Sequence, residues 1–228
     1  MTINEIIEKA RSEGRSLLFA DEATAILKIA GIPVNRCLPA NDEKTALTAA
    51  TEACFPVALK VRSGVISHKA DVGGVILGLT DPEGLCRAYN AMMEKVRLID
   101  PDAQVTVEPM AAPGAELFVG MTTDQQFGPV IAFGLGGTLL ELYNDTTFRM
   151  VPLSKEDAAD MLKSIKGAKI LQGYRGQPPA DTEALTGIIY NLSQLVENTP
   201  QIKEIDLNPI IAYPKGALAI DARIIIEE

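Results

Sequence analysis

Residues 55–79, FPVALKVRSGVISHKADVGGVILGL, decide how this chain folds. Pro56 to Val61 form a short, continuous apolar run that begins with a proline, which is typical of a buried strand. Val75 to Leu79 form a second run of this kind. The loop between the two runs is too polar for a core and holds three glycines, Gly64, Gly73 and Gly74. The stretch therefore predicts two strands joined by a long polar loop.

Lys60 is the cation that the first predicted strand carries towards this loop. A cation fixed on a strand, followed by a loop whose glycines leave backbone N–H groups accessible, suits the phosphates of a nucleotide. Spacing alone leaves open a second interpretation, in which Lys60 extends its stem and places the ammonium group in solvent. The pattern GxxxxGK[ST] is absent from the sequence, which excludes the ordinary P-loop families.

His68 is the only histidine of the chain, and it lies in the polar loop between Ser67 and Lys69. An imidazole can accept a phosphoryl group and release it again, because the phosphoramidate is high in energy, so a histidine suits a reversible relay. The neighbouring cations Lys69 and Arg62 could offset the charge of the phosphate. The residues themselves leave open the alternative of a surface histidine without a function.

A second group of polar residues lies near the C-terminus, in KEIDLNPIIAYPKGALAIDARI, residues 203–224. Asp206 and Asn208 are two residues apart on one predicted strand, so they face the same side of the sheet, and Asp221 lies on the next strand. Two carboxylates and an amide oxygen suit Mg²⁺, which binds few protein oxygens and completes its shell with phosphates and water. An edge hairpin with solvated acidic residues is the alternative.

Composition limits the classes of function. Apolar residues make up 47% and charged residues 22% of the chain, which indicates a globular protein. The formal net charge of −9 disfavours nucleic acid and anionic membranes as partners. No apolar run approaches the roughly 20 residues that span a bilayer, and the charged start is unlike a signal peptide, so we expect a cytoplasmic protein. The 3 widely spaced cysteines argue against a disulfide framework and against a zinc site.

The rest of the sequence alternates helix and strand patterns, which indicates a mixed α/β chain. Neither a linker nor an internal repeat interrupts it, so two lobes that share a continuous chain are favoured over two separate domains. Residues 166–180 form the longest predicted loop. Helices are predicted at 2–14, 21–31, 41–54, 82–98, 154–165 and 181–196, and further strands at 105–110, 116–122, 130–133, 138–142, 204–213 and 217–226.

Several motifs occur in order between residues 18 and 226, namely GIPV, FPVALKVRSGVISHKADVGGV, VEPM, GAELFVGMTTDQQFGPVIAFGLGGTLLEL, EIDLNPI and GALAIDARI. Together they resemble the ATP-grasp subunit of ADP-forming acyl-CoA synthetases, commonly of the acetyl-CoA type. The resemblance implies an α/β fold with a single ATP-grasp domain over residues 1–228. It also implies lobes at about 18–107 and 108–228, with the nucleotide in the cleft between them.

The resemblance implies roles for individual residues. His68 would relay a phosphoryl group from a histidine of a partner subunit to ADP, and the three C-terminal polar residues would hold Mg²⁺. Glu108 to Met110 would form the hinge where main-chain groups meet adenine, and Glu116 would contact the ribose. Glu141 and Arg149 would act at the phosphates or pair with each other. The residues implied in binding ADP or ATP are Lys60, Arg62, Ser63, Gly73, Gly74, Glu108, Pro109, Met110 and Glu116.

The resemblance further implies a partner. In that family the ATP-grasp part is either fused to a CoA-binding part or encoded as a separate β subunit, and this chain looks like the separate subunit. An α subunit with the CoA-binding and ligase domains would complete an α2β2 heterotetramer that catalyses acyl-CoA + ADP + phosphate ⇌ acid + CoA + ATP. Two alternatives stay open: a self-contained ATP-grasp carboxylate ligase, and a regulatory nucleotide-binding module without chemistry.

Overall fold

The computed structural model describes residues 1–66, 68–137, 145–173 and 178–227. The strand predicted at 138–142, and Glu141 within it, lie outside the described residues. In the described part of the chain, no helix combines the length and the apolar character that a membrane crossing requires.

Helices and strands follow each other in the mixed α/β order that the sequence predicts. Within the described residues the helices are α1 (Ile3–Ser12), α2 (Ala20–Ile29), α3 (Glu43–Ala53), α4 (Pro82–Val96), α5 (Lys155–Ser164) and α6 (Thr182–Asn198), with a 3₁₀ helix at Lys166–Ile170. The strands there are β1 (Leu38–Ala40), β2 (Val57–Arg62), β3 (Val75–Leu79), β4 (Gln104–Pro109), β5 (Ala115–Asp124), β6 (Gly128–Leu135), β7 (Thr146–Met150), β8 (Ile202–Ala212), β9 (Ala217–Ala219) and β10 (Ala222–Ile226). All six predicted helices are confirmed, with small shifts at their ends.

The smaller of two cores lies on a four-stranded antiparallel sheet with the strand order β1-β4-β2-β3. Helices α3 and α4 pack against this sheet and cover buried residues of β2 and β4. β2 is paired along both edges and is buried from Val57 to Val61, which explains its continuous apolar sequence. The loop after β2 therefore starts from a fixed point.

The larger core lies on a second antiparallel sheet with the strand order β10-β8-β5-β6-β7, in which β9 also pairs with β8. Helices α1, α2, α5 and α6 pack on it. The predicted lobe boundary at residue 18 differs from this packing, because Ala23, Ile26 and Leu27 of α2 are buried in the larger core. The smaller sheet is already covered by α3 and α4, so the apolar face of α2 packs on the larger one.

Local signals explain where most elements begin, and two differences from the prediction matter for the site. Thr2 and Glu5 form the predicted capping box at the start of α1. β7 is not among the predicted strands, and its apolar residues Phe148 and Met150 are exposed. The strand predicted at 217–226 is divided into β9 and β10, and Asp221 lies in the break.

Candidate functional site

Two cavities contain most of the residues that the sequence singles out. The loop cavity has a volume of about 410 Å³, and its lining includes His68, Lys69, Asp206, Asn208 and Asp221. The hinge cavity has a volume of about 300 Å³, and its lining includes Lys60, Leu77, Glu108, Pro109, Met110 and Glu116. The fold thus brings the histidine loop to the C-terminal polar residues, which are far away in the sequence.

Lys60 connects the two cavities. It lines the hinge cavity, and its Nζ lies 2.8 Å from Glu108 Oε2 and 3.7 Å from Oδ1 of Asp221, a residue of the loop cavity. The same Nζ donates to the carbonyl oxygen of Ile220 at 3.4 Å. Lys60 is only 4% exposed, so the interpretation with its ammonium group in bulk solvent is wrong. The ammonium group of Lys60 therefore lies between Glu108 of the hinge cavity and Asp221 of the loop cavity.

Opposite charges keep this buried lysine ionised. Burial would lower the pKa of Lys60, but Asp221 and Glu108 outweigh burial, and the pKa is raised. Burial raises the pKa of Glu108 in spite of the ion pair with Lys60. Burial would also raise the pKa of Asp221, yet Lys60, Lys69 and the N–H of Ala222 hold that pKa below its ordinary value. Asp221 is therefore an anion balanced by two lysines.

Backbone hydrogen bonds fix the end of the loop that precedes β3. His68, in the middle of the loop, is exposed. Gly74 N–H donates to the carbonyl oxygen of Lys69 at 2.7 Å, and the carbonyl oxygen of Gly74 accepts from Val61 N–H at 2.7 Å. A Cβ at position 74 would lie 2.5 Å from Val61 Cγ1, so the close approach to β2 requires glycine. Gly73 has a φ of +70°, which also favours glycine. The two glycines shape the loop, and the N–H of Gly74 is already used within it.

Arg62 and Ser63 line the loop cavity, but their polar groups are engaged by other residues. Arg62 Nε and Nη2 donate to Asp21 of α2 at 2.7 and 3.1 Å, and Nη1 donates to Gln104 at 2.9 Å. Ser63 Oγ donates to Asp100 at 2.6 Å. The implied direct contact of these two residues with a nucleotide stays a prediction. Arg62 joins the small lobe to α2, and Ser63 fixes the start of the loop.

The hinge, residues 108–110, has its main-chain groups partly occupied. Met110 N–H donates to the carbonyl oxygen of Pro56 at 3.1 Å. Pro109 has no N–H, and its carbonyl oxygen accepts from Asn35 Nδ2 at 3.0 Å. Ala111 and Ala112 are among the residues of the hinge cavity that the sequence does not single out, because alanine carries no polar side chain.

Asp206, Asn208 and Asp221 suit a divalent cation. Burial raises the pKa of Asp206, and the nearby Asp221 raises it further against the effect of Arg223. Among the described residues, no group of three or more His, Cys, Asp or Glu is arranged to hold a metal. The oxygen donors fit Mg²⁺ that takes further ligands from phosphates and water.

The remaining candidates lie outside the loop cavity or outside the described part of the chain. Glu116 is exposed and lines the hinge cavity, and its contact with a ribose stays a prediction. Arg149 on β7 donates to Thr147 Oγ1 at 3.3 Å and to the carbonyl oxygen of Phe148 at 2.9 Å. Within the residues described, Arg149 lines neither of the two cavities. The pairing of Arg149 with Glu141 stays a prediction.

Comparison with known proteins shows the family of this chain. Residues 9–226 match the family model for the ATP-grasp domain. The chain belongs to the ATP-grasp family. Among curated ATP-grasp relatives, the β subunit of ADP-forming acetate–CoA ligase I from Pyrococcus furiosus is 44% identical over 225 residues, which cover 97% of each chain.

Solved ATP-grasp structures are similar along the whole chain. The dinucleotide forming acetyl-coenzyme A synthetase 1 of Ca. Korarchaeum cryptofilum, in complex with coenzyme A, Ca-AMPCP and HgCl⁺, has a TM-score of 0.94 and 40% identity, covering 99% of this chain and 100% of that one. The same synthetase with coenzyme A and Mg-AMPPCP has a TM-score of 0.86 and 39% identity at the same coverage. In that second structure the phosphohistidine segment points towards the nucleotide binding site.

Proposed function

We propose that this chain is the nucleotide-binding β subunit of an ADP-forming acyl-CoA synthetase, with acetyl-CoA as the expected thioester. One observation carries the proposal: the solitary histidine lines a cavity together with Lys69, Asp206 and Asp221, and Lys60 of the adjoining hinge cavity pairs with the same Asp221. Curated relatives that match this chain over almost their whole length are β subunits of acetate–CoA ligases. The reaction is acyl-CoA + ADP + phosphate ⇌ acid + CoA + ATP.

The nucleotide would bind across both cavities. The base would occupy the hinge cavity, between the exposed Leu77 and the hinge residues 108–110, and the phosphates would extend past Lys60 into the loop cavity. Lys60 suits this place because its charge is buried and held by Glu108 on the hinge side. Glu116 would meet the ribose at the edge of the hinge cavity. The nucleotide would then lie between the two lobes.

His68 would carry the phosphoryl group between the partner subunit and ADP. In the direction of ATP synthesis, an oxygen of the β-phosphate of ADP attacks the phosphorus atom, the N–P bond to His68 breaks, and the imidazole keeps the electron pair. Lys60 would offset the charge of the transferred group. Mg²⁺ held by Asp206, Asn208 and Asp221 would supply further charge neutralisation.

A partner α subunit would phosphorylate His68. That subunit would bind CoA and the acyl group, and an α2β2 heterotetramer is the expected assembly. The exposure of His68 on a loop suits this role, because a side chain that exchanges a group with a second subunit has to be reached from outside.

Partner dependence tests the proposal. The purified chain should form no ATP from acetyl-CoA, ADP and phosphate by itself, and addition of the α subunit should give ATP that is lost again with His68→Ala. Turnover by the chain alone would favour a self-contained ligase. Binding of Mg·ADP without any turnover in the complex would favour a regulatory module.

A further inference from the structure

Asp221 is the point where the histidine loop contacts the large lobe through an ion pair. Lys69, the residue next to His68, places its Nζ 3.4 Å from Asp221 Oδ1. Lys60 approaches the same oxygen to 3.7 Å from β2. Two ammonium groups thus share one carboxylate oxygen, and this carboxylate also belongs to the residues suited to Mg²⁺.

The two lysines differ in what else holds them. The Lys60 side chain is 5% exposed and keeps Glu108 and the carbonyl oxygen of Ile220 as further partners. The Lys69 side chain is 18% exposed, and Asp221 is the one carboxylate that it contacts among the described residues. Lys60 would therefore stay in place if Asp221 were taken by another cation, while Lys69 would lose its ion pair.

A divalent cation competes with Lys69 for the same atom. Mg²⁺ binds a carboxylate oxygen at about 2.0–2.1 Å and carries twice the charge of an ammonium group. An ammonium group held on that oxygen would repel the metal, and the metal would repel it in turn. Binding of one cation at Asp221 Oδ1 thus weakens binding of the other.

We infer that Lys69 is a positioning residue that ties the His68 loop to Asp221 until Mg²⁺ with its nucleotide takes this carboxylate. Metal loading then frees Lys69 and the loop segment around it, so that His68 moves only when a nucleotide is in place. This inference rests on the proposed function, since it assigns Mg·ADP to the loop cavity. Lys69 has two effects here: it holds His68 in position, and its ammonium group competes with the metal for Asp221.

The Mg²⁺ concentration that ADP binding requires distinguishes the positioning role of Lys69 from a role as a phosphate ligand. Calorimetric titrations of ADP at increasing Mg²⁺ concentrations give the Mg²⁺ concentration of half-maximal binding. In Lys69→Met this concentration should fall about fivefold or more, because a competing cation has been removed, a change of roughly 1 kcal/mol. Lys69→Arg should restore the wild-type value. A phosphate ligand would give the opposite result, with weaker ADP binding in Lys69→Met.

A second readout reports the loop directly. In metal-free protein, backbone amides of residues 68–73 should exchange with solvent several-fold faster in Lys69→Met than in wild type, and saturating Mg·ADP should abolish this difference. Lys44→Met, on the exposed surface of α3, is the control and should match wild type in both measurements.

The outcomes are distinct. Absence of Mg·ADP binding in every protein would overturn the proposed function itself. Normal Mg·ADP binding with an unchanged or increased Mg²⁺ requirement in Lys69→Met would overturn the role of Lys69 alone. Equal exchange rates of the loop in metal-free wild type and Lys69→Met would also overturn it.

Discussion

The hinge cavity and the loop cavity differ in the contacts that fix their lining residues in place. The hinge cavity is lined by residues of β2, β3, β4, β5 and β8, each of which is paired within a sheet, and by the segment 110–114 that joins β4 to β5. The loop cavity is closed on one side by the loop after β2, which side-chain contacts from Ser63, Lys69 and Arg62 tie to its surroundings. Strand pairing thus fixes the place of Lys60, whereas a few separate contacts fix the place of His68. We expect changes at the hinge to alter stability and binding, and changes at the loop to alter phosphoryl transfer.

The largest effect on stability is expected at the hinge side, from Lys60→Met. This variant leaves the buried carboxylate of Glu108 without its partner, and loss of one member of a buried ion pair costs about 3–5 kcal/mol. Urea denaturation measures the free energy of unfolding. The double variant Lys60→Met/Glu108→Leu removes both charges and should recover most of the loss. A loss below about 1 kcal/mol in the single variant would mean that the pair behaves like a surface ion pair.

Gly74→Ala should affect the loop cavity and spare the hinge. The new Cβ would lie 2.5 Å from Val61 Cγ1 and 2.9 Å from the carbonyl oxygen of Lys69, so the loop has to shift. A displacement of about 1 Å can slow a positioned reaction roughly 100-fold, and we expect phosphorylation of His68 to slow on that order with Mg·ADP affinity nearly unchanged. Gly187→Ala in α6 is the control, because its Cβ would meet no atom within 4 Å. Normal transfer in Gly74→Ala would show that the loop tolerates this shift.

Variants of Arg62 test whether this residue of the loop cavity contacts the nucleotide directly or stabilises the fold. If Arg62 acts through its two hydrogen bonds to Asp21, the variants Arg62→Met, Asp21→Asn and their combination should destabilise the protein non-additively. The coupling free energy should be about 1 kcal/mol in a thermodynamic cycle of unfolding. ADP affinity should fall equally in both single variants. A fall confined to Arg62→Met would instead indicate a direct contact with the nucleotide.

The smallest expected effect is that of Leu77→Ala at the hinge cavity. Leu77 is 61% exposed, so its truncation should leave stability almost unchanged. Loss of its contact with the base should weaken ADP binding about threefold to fivefold, which corresponds to less than 1 kcal/mol. Leu98→Ala is the control, since Leu98 is 87% exposed and lines neither cavity among the described residues. Equal ADP affinity in both variants would remove Leu77 from the base site.

The sequence predicts the elements better than it predicts their contacts. The apolar run at Pro56 to Val61 and the capping box at Thr2 predict their elements, because periodicity and capping are local signals. The packing of α2 in the larger core depends on which sheet face is free, and this is not encoded locally. Likewise, the sequence marks Arg62 as a cation near the loop, but only the fold reveals that the guanidinium group of Arg62 is paired with Asp21.

For the candidate site, motif resemblance predicted the residues and the structure supplied their separation into two cavities. His68, Asp206, Asn208 and Asp221 lie around one cavity, which is consistent with the role proposed for them. The ion pair between Lys69 and Asp221 spans 152 positions, and no spacing rule could predict it. The hydrogen bond that occupies the N–H of Met110 was equally unpredictable, because its acceptor, the carbonyl oxygen of Pro56, lies just before β2 and far away in the sequence.

Phosphorylation of the chain by labelled ATP in the presence of Mg²⁺ tests the central claim most directly. The chain should acquire an acid-labile, base-stable label without a partner, because transfer from ATP to His68 is the reverse of ATP synthesis. In His68→Ala the label should be absent, while calorimetry should show wild-type affinity for Mg·ADP. Label of the same stability in His68→Ala would contradict the account, since His68 is the only histidine in the chain.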